Sequence, residues 1–418
     1  MPERLPKYVS EAFLPHPPKA MGVAVSGGSD SMALLHLLRD FCMAQKVQLH
    51  AVTVNHSLRD EAAGEAETVA QHCAQLKVPH DTLVWEGWNG HGNLQEAARD
   101  ARYKSMAEWA HDHQIDTIAM GHTADDQAET MLMRLARRSG VDGLSGMNMR
   151  SLREGINWVR PLLRSRRAIL RSYLTERGIS WIDDPSNEDA RFDRVRIRKA
   201  LEILEPLGVD ADVLSEVANH MLEARKALDW QTFLASKHIA TIEAGAVVLD
   251  ETILRLQPDE IQRRLMVKAI SWVGSAVQPP RMQAVANLME ALRNGQAGTV
   301  CGCHVRRIAA RIWIFRELNA VQDLTAATHM FWDRKWEMVP LAPAEHAPDL
   351  RVRSLGMDGL EQCPDWRDTG LPHVVLLSTP SIWRGDELIA APHAGVHRNW
   401  QMNIAGGADA FFAALLAH

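Results

Sequence analysis

Apolar and polar positions along the first 140 residues switch between two periods. Short β-branched runs alternate with longer stretches in which apolar residues recur every three or four positions, the pattern of strands joined by crossover helices. Residues 21–25, 47–55, 80–85 and 117–120 read as strands, and 31–45, 61–76 and 94–113 as the helices between them. A fourth helix follows from Gly121 through 131–138. The predicted fold class is α/β, an open, doubly wound parallel sheet, and such sheets bind ligands beyond the carboxyl ends of their strands. Residues 141–157 are rich in glycine and turn formers, a helix near 166–177 follows Pro161, and the turn-rich 183–187 precedes a basic helix starting near Phe192. Past Pro206 the texture changes to long helical periodicity, over 211–238 and 259–292, then apolar strands near 298–315. From about residue 319 the chain is rich in Pro, Trp and Asp without a clean period. The expected division is an α/β domain over 1–205, a mainly helical domain over 206–318 and a small C-terminal domain over 319–418.

Composition narrows the class. With 46% hydrophobic and 23% charged residues the chain is globular, and it has no apolar run long enough to cross a bilayer. The first 19 residues lack the apolar stretch of a secretory signal, so a cytoplasmic location is expected. Five scattered cysteines argue for reduced thiols, and Cys301-Gly302-Cys303 lacks the second pair that a tetrahedral metal site needs. The net charge of -6 hides a segregation: residues 134–199 carry sixteen Lys and Arg against eight Asp and Glu. That basic stretch is either a phosphate footprint or a solvated helical face.

The run Ser26-Gly27-Gly28-Ser29-Asp30-Ser31 directly follows the first strand and opens the first helix. Glycines let backbone N–H groups approach an anion, the hydroxyls of Ser26, Ser29 and Ser31 add donors, and the helix N-terminus supplies roughly half a positive charge. The alternative, a serine-rich cap that only starts a helix, leaves Asp30 unexplained, because a carboxylate in an anion site makes most sense if Mg²⁺ bridges it to phosphates. The loop has neither the Gly-Lys-Ser/Thr of the Walker sequence nor the three-glycine dinucleotide fingerprint. It resembles the loop of the PP-loop ATP-pyrophosphatases (adenine nucleotide α-hydrolase-like fold), which implies that ATP is cleaved between its α and β phosphates.

After the fourth strand, Gly121-His122-Thr123-Ala124-Asp125-Asp126-Gln127-Ala128-Glu129 places Thr123 as a helix cap and sets Asp125, Asp126 and Glu129 on one helical face. Acids at a helix start are common because they match the dipole. A face of three beside a histidine, at the mouth of the sheet, could instead hold Mg²⁺ or the ammonium of an amine. This segment is similar to a signature of the tRNA(Ile)-lysidine synthases, as are Asn55-His56-Ser57-Leu58-Arg59, residues 93–103, Arg160-Pro161-Leu162-Leu163, Asp184-Pro185-Ser186-Asn187 and Arg194-Val195-Arg196-Ile197-Arg198. Asn55, Ser57 and Val195 depart from the usual family residues.

The resemblance covers residues 20 to 200 and implies an ATP-dependent ligase. It adenylates carbon-2 of the wobble cytidine of an isoleucine tRNA with a CAU anticodon, and free L-lysine then displaces AMP. It further implies ATP on Ser26 to Ser31, with Mg²⁺ on Asp30. Catalytic duties fall to Asp30, His122, Asp126 and Glu129, and substrate contacts to Asp125, Asp126, Glu129, His56, Arg59, Arg194, Arg196 and Arg198. Residues 206–318 would then serve substrate or tRNA binding. Oligomeric state is left open, a homodimer among the options. Thiolases of the same superfamily would need paired cysteines, and ammonia-using synthetases a glutaminase, and neither signature occurs here. A tRNA-binding protein with a vestigial loop is the rival outside enzymes.

Overall fold

The computed structural model describes residues 2–55, 62–85, 94–183, 193–275, 278–341 and 348–416. They form two compact units, one within residues 1–225 and one within 226–417.

The first unit opens with helix α1 (Leu5–Phe13), whose Leu5, Val9, Ala12 and Phe13 are buried. Then follow β1 (Ala20–Ala24), α2 (Ser29–Gln45), β2 (Gln48–Asn55), α3 (Ala62–Gln75), β3 (His80–Val84), α4 (Leu94–Asp112), β4 (Thr117–Met120) and α5 (Ala124–Ala136). A short helix α6 (Val141–Leu144), the hairpin β5 (Arg150–Arg153) and β6 (Ile156–Val159), and helices α7 (Arg167–Glu176) and α8 (Asp193–Leu204) complete the unit. The six-stranded sheet runs β3-β2-β1-β4-β6-β5, parallel except for the edge strand β5.

Both faces are covered, which is why the central strands are continuous apolar runs. Met21, Val23 and Val25 pack with α1, α2 and α7, whereas Ala24 and Ile118 pack with Met106, Trp109 and Trp158 on the other face. Gly22 is where β1 meets Trp109: a Cβ there would lie 3.0 Å from the indole. Helix α1 and the hairpin β5–β6 were not expected, the hairpin because four-residue strands between glycines give no readable period.

The second unit begins within the long helix α9 (Ala211–Ile239), followed by β7 (Ala240–Glu243), β8 (Ala246–Asp250), α10 (Glu251–Arg255), α11 (Asp259–Val273), α12 (Met282–Arg293), β9 (Gly298–Val300), β10 (Cys303–Ile308) and β11 (Arg311–Arg316). The strands form an antiparallel sheet, β7-β8-β11-β10-β9, against which α11 and α12 bury Leu265, Ile270, Val285 and Leu288. The sequence predicted strands only near 298–315, so β7 and β8 are an addition. Past α13 (Leu318–Val321) the chain is β-rich. β12 (Ala326–Ala327), β14 (Leu350–Ser354), β15 (Pro380–Arg384) and β16 (Glu387–Ala390) make one sheet, and β13 (Trp336–Pro340) pairs with β17 (Trp400–Ile404). Trp332, Trp336 and Trp400 are buried in the core of this region.

Candidate functional site

The turn after β1 is built to come close to something. Gly27 has φ +84°, a left-handed conformation that favours glycine, and a Cβ there would sit 2.7 Å from Ile182 Cδ1. The Ile182 N–H donates to the Gly27 carbonyl at 2.9 Å and pins the turn. Ser31 serves the turn itself: its hydroxyl accepts from the Ser26 N–H at 3.1 Å and donates to the Gly28 carbonyl at 3.0 Å. Ser29 donates to Asp30 Oδ1 at 3.2 Å. Helix α2 has Gly28 at its N-cap and no side-chain cap, so its dipole and first N–H groups face the cavity beyond the strand ends.

At the end of β4 the opposite arrangement holds. Gly121 lets strand and loop touch: a Cβ would lie 3.0 Å from the Asp30 carbonyl and the Ser31 nitrogen. Thr123 caps α5 in a full capping box. Asp126 Oδ2 accepts from the Thr123 N–H at 2.8 Å and the Thr123 hydroxyl at 2.9 Å, and the Asp126 N–H returns to Thr123 Oγ1 at 3.4 Å. Burial alone would raise the Asp126 pKa, but Arg167, His122 and the Thr123 bonds outweigh it and hold the carboxylate below its ordinary value. Burial pushes Glu129 upward, only partly offset by Arg198, and pushes Asp30 upward against the pull of Arg167. Burial also drives His122 down to about 3, so its ring is neutral.

The residue that organises these groups is one the sequence reading did not single out. Arg167, at the start of α7, places Nε 2.8 Å from Asp30 Oδ2, Nη2 3.2 Å from Asp126 Oδ1 and Nη1 3.7 Å from Glu129 Oε1. Its own N–H donates to Asp125 Oδ2 at 2.7 Å, so Asp125 caps α7 from α5 and also pairs with Arg166 at 3.5 Å. A signal was available: Arg166-Arg167 at a helix N-terminus opposes the dipole and demands compensating acids.

A cavity of about 470 Å³ gathers Ser26, Gly28, Ser29, Asp30, Ser31, His122, Asp126, Arg167 and Arg198, with Arg102 and Arg171. Gly27 shapes its turn from behind. Asp125 and Glu129 instead line a smaller neighbouring cavity of about 210 Å³, with Glu202, Glu205 and Asp210. Glu129 Oε2 and His122 Nδ1 are buried without a hydrogen-bond partner among the described residues. Arg198, expected to contact substrate, lines the larger cavity with its Nε 2.6 Å from Glu129 Oε1. Arg194 is exposed, and Arg196 pairs with Asp193 on its own helix. His56, Arg59 and the Asp184–Asn187 turn lie outside the described residues.

Among the described residues no cluster of three metal-ligating side chains occurs. Asp30 beside serine hydroxyls is nevertheless a donor set that suits Mg²⁺, which takes one or two carboxylates and completes its shell with substrate phosphates and water.

Comparison with known proteins places the chain in a family. A PP-loop domain family matches residues 2–204. A curated tRNA(Ile)-lysidine synthase from Ruegeria pomeroyi is 46% identical over 414 residues, covering 99% of this chain and 98% of the relative. Another, from Wolbachia pipientis wMel, is 34% identical over 76% of this chain and 75% of its own length. The solved U34-tRNA thiolase NcsA from Methanococcus maripaludis aligns at 14% identity with a TM-score of 0.46, covering 53% of this chain and 78% of that one. The α/β unit is a PP-loop domain, and the chain belongs to the tRNA(Ile)-lysidine synthase family.

Proposed function

We propose that the protein joins lysine to carbon-2 of the wobble cytidine of an isoleucine tRNA with a CAU anticodon, at the expense of ATP. The single observation that carries this reading is the juxtaposition of an uncapped phosphate turn, Ser26 to Ser31, with the buried carboxylates Asp126 and Glu129. In the first step the cytidine O2 attacks the α-phosphorus and pyrophosphate leaves. In the second the lysine amine attacks carbon-2, AMP leaves with the oxygen, and the amine gives up a proton.

The turn and the N-terminus of α2 bind the phosphates, and Arg102, Arg167, Arg171 and Arg198 surround them with positive charge. Asp30 would hold Mg²⁺, which when bound neutralises phosphate charge. Neutral His122 offers a hydrogen bond rather than a charge. The smaller cavity, with Glu129 Oε2 unpartnered among the described residues and Asp125, Glu202, Glu205 and Asp210 around it, suits an ammonium group. Glu129, already pushed upward by burial, is the candidate acceptor of the amine proton.

Residues 206–418 carry no recognised catalytic motif, and within them we assign 206–318 to substrate or tRNA contact. Among the described residues no helix is long and apolar enough to cross a membrane, which suits work in the cytoplasm. The test is AMP and pyrophosphate release from ATP with the CAU-anticodon isoleucine tRNA and lysine, omitting each in turn. AMP release that needs both, with pyrophosphate release that needs the tRNA, supports the reading, and no release with everything present ends it.

A further inference from the structure

Arg167 stands in the wall shared by the two cavities, and it lines both. On one side is the phosphate turn, on the other the acidic pocket around Glu129. Its guanidinium is within 2.8 Å of Asp30, 3.2 Å of Asp126 and 3.7 Å of Glu129. These are the carboxylates that a phosphate-bound cation and an ammonium would each use. One side chain therefore occupies, with its own positive charge, the electrostatic place of both ligands. Its five donors can exchange carboxylates for phosphate oxygens without losing charge-assisted bonds, and the phosphate turn lies in the same cavity.

The geometry points to Arg167 as a positioning residue that couples the two cavities: nucleotide draws its guanidinium onto phosphate, and this releases Glu129 to receive the amine. The inference rests on the reading above only for the identity of the two ligands. Linkage makes the effect reciprocal, so nucleotide tightens the amine and the amine tightens nucleotide by one and the same factor. A further consequence is order. The amine pocket loses the opposing charge of Arg167 only after the phosphates have arrived.

The experiment measures lysine binding to the full chain by calorimetry, with and without saturating Mg²⁺ and α,β-methylene ATP, which cannot be cleaved at the α–β bond. The wild-type protein should bind lysine about tenfold more tightly with the analogue, and the analogue about tenfold more tightly with lysine, within the usual span of such couplings. Arg167→Met should bring the ratio to about one by tightening lysine binding to the nucleotide-free protein. Arg167→Lys keeps the charge but cannot reach three carboxylates together, and should give a ratio between the two; it carries the test if the Met variant does not fold. An unchanged ratio in both variants overturns the coupling. Loss of lysine binding with and without nucleotide also overturns it, since Arg167 would then hold lysine itself. A wild-type protein that binds lysine equally in both states removes the coupling and leaves the proposed function standing, whereas one that never binds lysine removes both.

Discussion

Helices α2 and α5 start side by side at the same mouth of the sheet, yet their N-termini are finished in opposite ways. Helix α2 begins at Gly28 with no side-chain cap, while α5 closes on itself through the Thr123–Asp126 box. The open end leaves its donors and dipole for an external anion. The closed end spends its donors internally and so fixes a carboxylate in one orientation, aimed at Arg167. Two adjacent strand–helix junctions thus acquire opposite preferences, anion and cation, from a glycine in one and a threonine in the other.

The largest test of this contrast is Asp126→Asn. The amide can still serve the box, but it cannot offer negative charge, so lysine-dependent AMP release should fall about 10²-fold or more while the melting curve barely moves. Near-normal turnover would take Asp126 out of the chemistry. On the open side, Gly27→Ala forces a Cβ into left-handed backbone and against Ile182. A cost of about 1–2 kcal/mol for the conformation alone predicts ATP binding weakened about tenfold, readable by titration.

Arg194 and Arg198 sharpen the comparison on the RNA side. Arg194→Ala should lower the salt slope of tRNA binding by about one, whereas Arg198→Ala should leave it unchanged, because that guanidinium is committed to Glu129. Equal slopes for the two variants would refute the distinction. Thr123→Val opens the closed end and should cost about 1 kcal/mol in denaturant unfolding of the first unit.

The last effect is in pH. An unfolded chain takes up a proton on His122 near 6.5, but the folded one does so only near about 3. The unfolded state therefore binds more protons between those values, and stability falls as pH drops through that window. His122→Gln should flatten the fall over that range, and an unaltered acid dependence of unfolding would show that His122 contributes nothing to it.

Much of the first unit was legible because strands covered on both faces must be continuous apolar runs, and the central strands β1 and β4 are. The phosphate turn was legible because Ser26 to Ser31 are consecutive and follow a strand. Arg167 was not, since its meaning depends on Asp30 and Asp126, 137 and 41 positions away in the chain. Asp125 was legible as one of three acids on one face, whereas its second duty, accepting from the Arg167 N–H at the start of α7, was not. In the second unit, strands of two to six residues, separated by turns and short helices, are too brief to print a period on the sequence.

The contact at Gly121 carries a last consequence. There the main chain at the end of β4 meets the main chain of the first turn of α2 with no side chain between them. The interval separating the two junctions is therefore set by peptide dimensions, and rotamer changes cannot stretch it. Drift toward a different acceptor amine would have to come from residues lent by α7 and α8, which reach the cleft from outside the sheet. Grafting those two helices from a distant relative should retune the choice of amine while the spacing of the two junctions stays as it was.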